Sequence, residues 1–347
     1  MSRIPVEVPT GAIRYNTDSN KMECFNGTKW MQIAVSSPDL NGGARGLTAG
    51  GDSSNTIDYI TISTTGNATD FGDIAQVTYQ QASFGSNTRS ICSGGAGPAT
   101  NPNDVIEYLT FASTGNSTDF GNLSQARRNP AGTSNQTRGI TAGGANVNEG
   151  TVYNTIDYVT IASTGNAVDF GDKTNTIMVS AGGINSPTRG VFAGGTSTAP
   201  TYTETNVIDS IQIATTGNAL DFGDLTQATA APAGCSNAVR GIIAGGATNL
   251  FPGNVMTTDI SYITIATTGN TANFGDLIVA TNFGNNGGMS SKVRGVFSCG
   301  YTAPAPSATK NTIQYITIAT QGNAVDFGDG TVAERYRSSN SNAHGGL

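Results

Sequence analysis

Charge is scarce in this chain of 347 residues: Asp, Glu, Lys and Arg together make up 12% of it. An average soluble domain carries about 25%. There is one histidine, one tryptophan and four cysteines. With His344 alone, no Ser/His/Asp set and no two-histidine metal site can be assembled. Cys24, Cys92, Cys235 and Cys299 lie too far apart for zinc spacing and are too few for a disulfide scaffold. They are expected to be small buried apolar side chains. No run of about 18 apolar residues occurs, which argues against a helical membrane span. Met1-Ser2-Arg3-Ile4-Pro5 has no apolar leader core, so no secretory leader is expected. Basic residues gather no further than Arg127-Arg128, and 24 acidic against 17 basic residues leave a net charge of −7. Nucleic acid is therefore not an expected partner.

What the chain has instead is glycine, 46 residues of it, together with Thr, Asn, Ser and Ala. That mixture disfavours long amphipathic helices and favours strands joined by tight turns. It is also repeated. Thr-Gly-Asn (Gln-Gly-Asn in the last copy) followed by Asp-Phe-Gly (Asn273-Phe274-Gly275 in the fifth) recurs with its central glycine at Gly66, Gly115, Gly165, Gly217, Gly269 and Gly322. A second landmark is an arginine opening a short apolar run: Arg45, Arg89, Arg138, Arg189, Arg240 and Arg294. Internal repeats of this period decide the architecture before any other signal.

Each unit of about 50 residues reads as four short strands. Arg138-Gly139-Ile140-Thr141-Ala142-Gly143-Gly144 is one, and the alternating Ile156-Asp157-Tyr158-Val159-Thr160-Ile161-Ala162 is the next. Ser163-Thr164-Gly165-Asn166 is a turn, since Gly and Asn tolerate positive φ. Ala167-Val168-Asp169-Phe170-Gly171 starts a third strand and a fourth lies around Pro130-Ala131-Gly132-Thr133-Ser134. The Gly-Gly after an apolar strand, the following Tyr-bearing strand and Gln125-Ala126-Arg127 resemble kelch repeats. No repeat has the usual kelch Trp, and Phe71, Phe120, Phe170, Phe222, Phe274 and Phe327 are expected to take its packing place.

That resemblance implies an all-β, six-bladed kelch-like β-propeller over residues 45–347. A solenoid of six stacked units is the alternative. The two ends favour closure. Arg45 opens the second strand of a unit, while Tyr336-Arg337-Ser338-Ser339-Asn340-Ser341 matches the first strand of one. A strand supplied from residues 335–343 would leave no open inner edge.

Repeat length varies unevenly. From the Ile of the Tyr-bearing strand to the Phe of Asp-Phe-Gly is 14 residues in all six units, whereas the step from Arg to that Ile runs from 12 to 20. The variation falls in the loop after Gly-Gly. Loops that vary on a fixed scaffold are where binding is usually placed. Pro98, Asn101, Tyr153, Tyr202, Phe251 and Tyr301 are the candidate recognition residues there, Tyr and Phe on Pro-stiffened loops being suited to sugar or protein contact. The repeated Arg and the Asp of Asp-Phe-Gly, as in Arg138 and Asp169, are expected to pair as structural staples.

Residues 1–34 stand apart from the repeat. Gly11-Ala12-Ile13-Arg14-Tyr15-Asn16, Lys21-Met22-Glu23-Cys24-Phe25 and Lys29-Trp30-Met31-Gln32-Ile33-Ala34 read as a three-stranded meander with an Asn26-Gly27-Thr28 turn. So small a sheet is marginal alone, so Tyr15, Phe25 and Trp30 are expected to anchor it to a partner, with residues 35–44 as a linker. The string from Gly11 to Lys21, with Asn26-Gly27-Thr28-Lys29-Trp30, resembles a module of tailed-phage virion proteins, common in tail fibres of marine phages and cyanophages.

The resemblance implies a virion structural protein assembled in the host cytoplasm, a tail-fibre or appendage component whose propeller face meets a host receptor or glycan. A head-decoration or connector protein is the alternative. Other virion proteins are the expected partners, through residues 1–44. No cofactor, no metal and no catalytic residue is expected, and the chain is not read as an enzyme.

Overall fold

The computed structural model describes residues 8–17, 21–32, 44–197, 202–250, 253–284, 287–303 and 308–347. They divide into two compact units, Met1–Leu40 and Asn41–Leu347. The described residues form strands, bridges and turns, and no helix.

In the first unit Ile13–Asn16, Lys21–Phe25 and Trp30–Gln32 form an antiparallel meander. Its register sorts the side chains by face. Ile13 opposes Cys24, Tyr15 opposes Met22, and Cys24 opposes Met31, so these five share one face. Phe25 opposes Trp30 on the other face. The three expected anchor aromatics are thus divided between the two faces. Phe25 and Trp30 pack on each other with ring centroids 5.4 Å apart, and the Arg14 guanidinium, 2.8 Å from Glu23, covers Trp30. Of the three rings only Tyr15 is exposed, beside Ile13, Met22 and Met31.

The second unit consists mainly of six four-stranded antiparallel sheets. The third, for example, runs Ala131–Ser134, Arg138–Ala142, Thr155–Thr160, Val168–Asp172. The first sheet takes its first strand from the far end of the chain. Ser338–Ser341 pairs with Arg45–Ala49, Ser338 opposite Ala49 and Ser341 opposite Gly46. In five sheets the Tyr of the third strand meets the Phe of Asp-Phe-Gly edge-on, at 5.9–6.1 Å. Ser210 replaces that Tyr in the fourth.

The repeated Thr-Gly-Asn and Asp-Phe-Gly strings join one sheet to the next. The amide of Gly115 in the second sheet donates to Phe71 O in the first, and Gly165, Gly217, Gly269 and Gly322 do the same to Phe120, Phe170, Phe222 and Phe274. Gly66 then donates to Phe327 O, linking the sixth sheet to the first; all six bonds are 2.7–2.9 Å. The neighbouring Asn side chain accepts a second amide each time, as Asn116 does from Asp73 N and Asn67 from Asp329 N. The glycine of Asp-Phe-Gly makes room for this clasp. A Cβ on Gly72 would stand 2.4 Å from Gly115 O, and its φ of 147° strains any other residue.

The arginine staples also cross between sheets, but not to Asp. Arg138 Nη1 donates to Ile213 O of the fourth sheet at 3.0 Å and its guanidinium sits over Tyr158. Arg45, Arg89, Arg189, Arg240 and Arg294 reach Phe111, Ile161, Ile265, Ile318 and Ile62 carbonyls at 2.8–3.1 Å. The expected Arg138–Asp169 pair is absent. The strand Thr155–Thr160 stands between their strands, and Asp169 is exposed.

The carboxylates that do pair with arginine in this unit's core sit one residue after the Ile of the third strand. Asp157 meets Arg127 at 2.7 Å with both side chains 0% exposed, and Asp58 meets Arg337 at 2.7 Å. Asp157 also accepts from Ser124 N and Oγ. Arg337 further donates to Gly50 O and Thr56 O. Burial pulls Arg127 below the usual guanidinium range, and Asp157 opposes that shift. In the fourth sheet burial lowers Lys173 to about 8, opposed by Asp209. Cys92, Cys235 and Cys299 are buried thiols, and burial pushes Cys92 up to about 12; Cys24 is half-buried.

His344 lies within the six sheets. Its Nε2 stands 2.9 Å from Gly85 O, and Nδ1 accepts Gly346 N–H at 3.1 Å. Nδ1 also lies 3.1 Å from Asn185 Oδ1 and Nε2 3.3 Å from Ser134 Oγ, so both ring nitrogens are held by polar partners. Burial lowers its pKa from 6.5 to about 4. The unfolded chain therefore binds a proton that the folded one refuses as pH falls between those values. Stability is full above about pH 6.5 and is expected to fall by about 3 kcal/mol on acidification to about pH 4. Urea unfolding of wild type and His344→Gln at both pH values checks this. Equal losses in the two proteins would exclude His344 as the source.

Candidate functional site

The sheets are entered through residues with left-handed backbone. Gln80, Asn129, Val179, Ala231 and Tyr336 precede the first strands of the second, third, fourth, fifth and first sheets, with φ of 57°, 58°, 61°, 55° and 61°. In the sixth sheet Gly284 takes this conformation, at 87°. It costs a non-glycine residue roughly 1–2 kcal/mol, and the β-branched Val179 is the least suited to it. A belt of backbone hydrogen bonds holds them there. Gln80 N donates to Tyr336 O, Asn129 N to Gln80 O, Val179 N to Asn129 O, Ala231 N to Val179 O and Phe283 N to Ala231 O, at 2.9–3.3 Å.

Beside this belt is a cavity of about 210 Å³. Every sheet contributes to its wall from the entry to its first strand: Tyr336, Gln80, Arg128 with Asn129, Met178 with Val179, Ala231, and Asn282. The rest of the wall is Val147, Gly150, Tyr202, Leu250 and Tyr301, from the connections of the third to sixth sheets. The residues fall into three kinds. Val147, Met178, Val179, Ala231 and Leu250 are apolar. Tyr202, Tyr301 and Tyr336 are aromatic, with Tyr301 edge-on to Tyr336 at 5.5 Å. Gln80, Arg128, Asn129 and Asn282 are polar.

The polar group is unsatisfied. Gln80 Oε1, Arg128 Nε, Asn129 Oδ1 and Asn282 Nδ2 are buried without a hydrogen-bond partner. An unmet buried polar group costs about 1–3 kcal/mol, and these four atoms are sealed within the wall rather than turned to the cavity. The Asn282 amide is oriented by Gly284 N, which donates to its Oδ1 at 2.9 Å. Its Nδ2 is thus left as a donor. Among the described residues Arg128 is the only charged one of the wall. Burial pushes the Tyr301 phenol well above its ordinary pKa, so it stays a neutral hydroxyl. Hydrogen bonding and ring stacking are what such a wall can supply.

Of the candidate recognition residues the cavity collects Tyr202 and Tyr301. Pro98 is exposed, Asn101 is half-buried with its carbonyl accepting from Asn148 Nδ2, and Tyr153 is half-buried; none of the three lines the cavity. Phe251 lies outside the described residues. The polar wall was missed because Gln80, Asn129, Val179, Ala231 and Tyr336 share no residue type. Their common offset of nine residues after the Phe of the repeat (Asn129 after Phe120, Tyr336 after Phe327) is the signal that aligns all five, and Gly284 of the sixth sheet follows Phe274 by ten.

Among the described residues no three His, Cys, Asp or Glu side chains gather where they could hold a metal ion. No described helix is long and apolar enough to cross a membrane.

No protein-family model matches the sequence, and no curated protein matches it. Solved structures do match. One described as "Structure of YjhT" aligns with a TM-score of 0.60, covering 75% of this chain and 86% of that chain at 11% identity. At that identity the likeness is one of fold: an all-β chain of four-stranded antiparallel sheets.

Proposed function

We propose that the six sheets form a six-bladed, kelch-like propeller and that the chain is a tailed-phage virion protein. In this reading it is a tail-fibre or appendage component whose variable-loop face recognises a host receptor or glycan. The observation that carries the recognition half is the cavity, which joins equivalent positions of all six sheets to loops that differ from sheet to sheet. Closure is supported by the pairing of Ser338–Ser341 with Arg45–Ala49 and by the Gly66–Phe327 bond. The virion half rests on the phage-like string from Gly11 to Trp30. Attachment through this unit is supported by the apolar face of Ile13, Met22 and Met31, each 43–62% exposed.

Mass spectrometry of purified particles of the phage that encodes the chain is expected to find it at a fixed copy number. Absence from the particles overturns the virion reading. Replacing Ile13 and Met31 together by Asp is expected to lower incorporation at least tenfold while leaving the thermal midpoint of the second unit unchanged. A particle structure with the variable loops buried against the capsid would replace recognition with a head-decoration or connector role.

A further inference from the structure

We infer that the second sheet carries a site for a guanidinium group supplied from outside the chain, in a cavity of about 80 Å³ beside Glu107. This site lies apart from the cavity described above and is independent of the virion reading. The residue after the Ile of the third strand is acidic in four sheets (Asp58, Glu107, Asp157 and Asp209) and neutral in the other two (Ser261 and Gln314). Three of the four acids face a buried cation of this chain: Arg337 for Asp58, Arg127 for Asp157 and Lys173 for Asp209. Glu107 is the exception. Among the described residues no cationic side chain lines its cavity.

The two arginines define what is missing. They enter from different places in the repeat, Arg127 seven residues after Phe120 and Arg337 ten after Phe327, yet they answer the same three acceptors. Arg127 donates to Thr155 O at 3.0 Å, Thr141 O at 3.3 Å and Asp157 at 2.7 Å. Arg337 donates to Thr56 O at 2.8 Å, Thr48 O at 3.1 Å and Asp58 at 2.7 Å. The acceptors therefore define the site, whichever arm delivers the fork. Their counterparts in the second sheet are Val105, Cys92 and Glu107. Cys92 opposes Glu107 as Thr141 opposes Asp157 and Thr48 opposes Asp58. All three counterparts line the cavity. Thr78 takes the place of Arg127: Gly51 N donates to Thr78 O at 3.1 Å as Gly95 N does to Arg127 O at 2.9 Å. Thr78 also lines the cavity, and its short side chain carries no cation into it.

Size and access suit the same group. One water needs about 10–15 Å³, so about 80 Å³ leaves room for a planar guanidinium. Gln76, Thr100 and Val105 on the wall are exposed and Glu107 is half-buried, so a solute can reach the carboxylate. Burial holds the Glu107 carboxyl above its ordinary range, and the groups opposing that shift, Ser117 and the Ala75 amide, are uncharged. A guanidinium matches a carboxylate with parallel donors, whereas an ammonium is a compact, strongly hydrated point charge.

The test uses the full chain. Methylguanidinium, agmatine and Nα-acetylarginine methylamide are titrated by calorimetry at constant ionic strength. Methylurea is the uncharged isostere and methylammonium the compact cation. Methylguanidinium is expected to bind saturably, at least tenfold more tightly than either comparison. Glu107→Gln keeps the shape and removes the charge, and is expected to weaken binding at least tenfold. Thr78→Arg supplies the fork from the position of Arg127, and is expected to abolish binding and raise the thermal midpoint. Binding of agmatine without the arginine amide makes a free guanidine the ligand; binding of both admits an arginine side chain of a partner. The inference is overturned if no guanidinium probe binds, if methylurea or methylammonium binds as tightly, or if either variant binds as well as wild type.

Discussion

Removing residues 335–347 is expected to destroy the cooperative fold of the second unit. The deletion takes away the strand Ser338–Ser341 and its four-residue ladder with Arg45–Ala49. It leaves Asp58, 2% exposed, without Arg337. It also removes Ser339, whose carbonyl accepts from Ser83 Oγ, and Asn340, whose Nδ2 donates to Phe84 O, so the second sheet loses its neighbour as well. An uncompensated buried charge alone costs about 3–5 kcal/mol. Whole domains have only about 5–15 kcal/mol of stability. Near-UV circular dichroism and urea unfolding should show loss of fixed side-chain packing and of a single sharp transition. A shortened chain with the wild-type unfolding midpoint would show that residues 335–347 are dispensable and would count against closure.

Asp157→Ala should be the most damaging single substitution of a carboxylate. Arg127 is 0% exposed, and among the described residues its only carboxylate partner is Asp157 at 2.7 Å. The carbonyls of Thr155 and Thr141, which also accept from it, supply no counter-charge. The expected loss is about 3–5 kcal/mol. Asp169→Ala is the internal comparison. Its exposed carboxylate touches no arginine, and the expected change is within about 0.5 kcal/mol. Urea midpoints of the two variants decide between the carboxylates. A larger loss at Asp169 would restore the staple expected from sequence and refute the ion pair seen in the fold.

The contrast between these two aspartates marks how far the sequence could be read. Strand positions were legible because alternation and turn residues are local: the strands opening at Arg138 and near Ile156 and the Gly165 turn follow from period and glycine chemistry, although the observed strands, Arg138–Ala142 and Thr155–Thr160, end two residues before the expected Gly144 and Ala162. The repeat also made the supply of a first strand from residues 336–341 visible, as a unit short at one end and in surplus at the other. Partners across sheets were not legible. Asp169 recurs in five units and Asp157 in fewer, so recurrence pointed to the wrong carboxylate. In the fold the recurrent arginine stacks on Tyr158 and bonds to a carbonyl, an acceptor that leaves no mark in a sequence. The cavity was half legible for the same reason. Tyr202 and Tyr301 stand out as aromatics on variable loops. Gln80, Asn129 and Asn282 look like ordinary loop residues until their buried amides are seen together.

The clasp between Thr-Gly-Asn and Asp-Phe-Gly carries a consequence for inheritance. Every sheet presents the same donor to its predecessor and the same acceptor to its successor. Unequal recombination between repeats can therefore excise or duplicate a whole unit and leave matching surfaces at the scar. The gene can shuffle its variable loops from one repeat to another in the same way, because nothing in the clasp distinguishes the third sheet from the fifth. Selection can then act on loop combinations without rebuilding the joints between them.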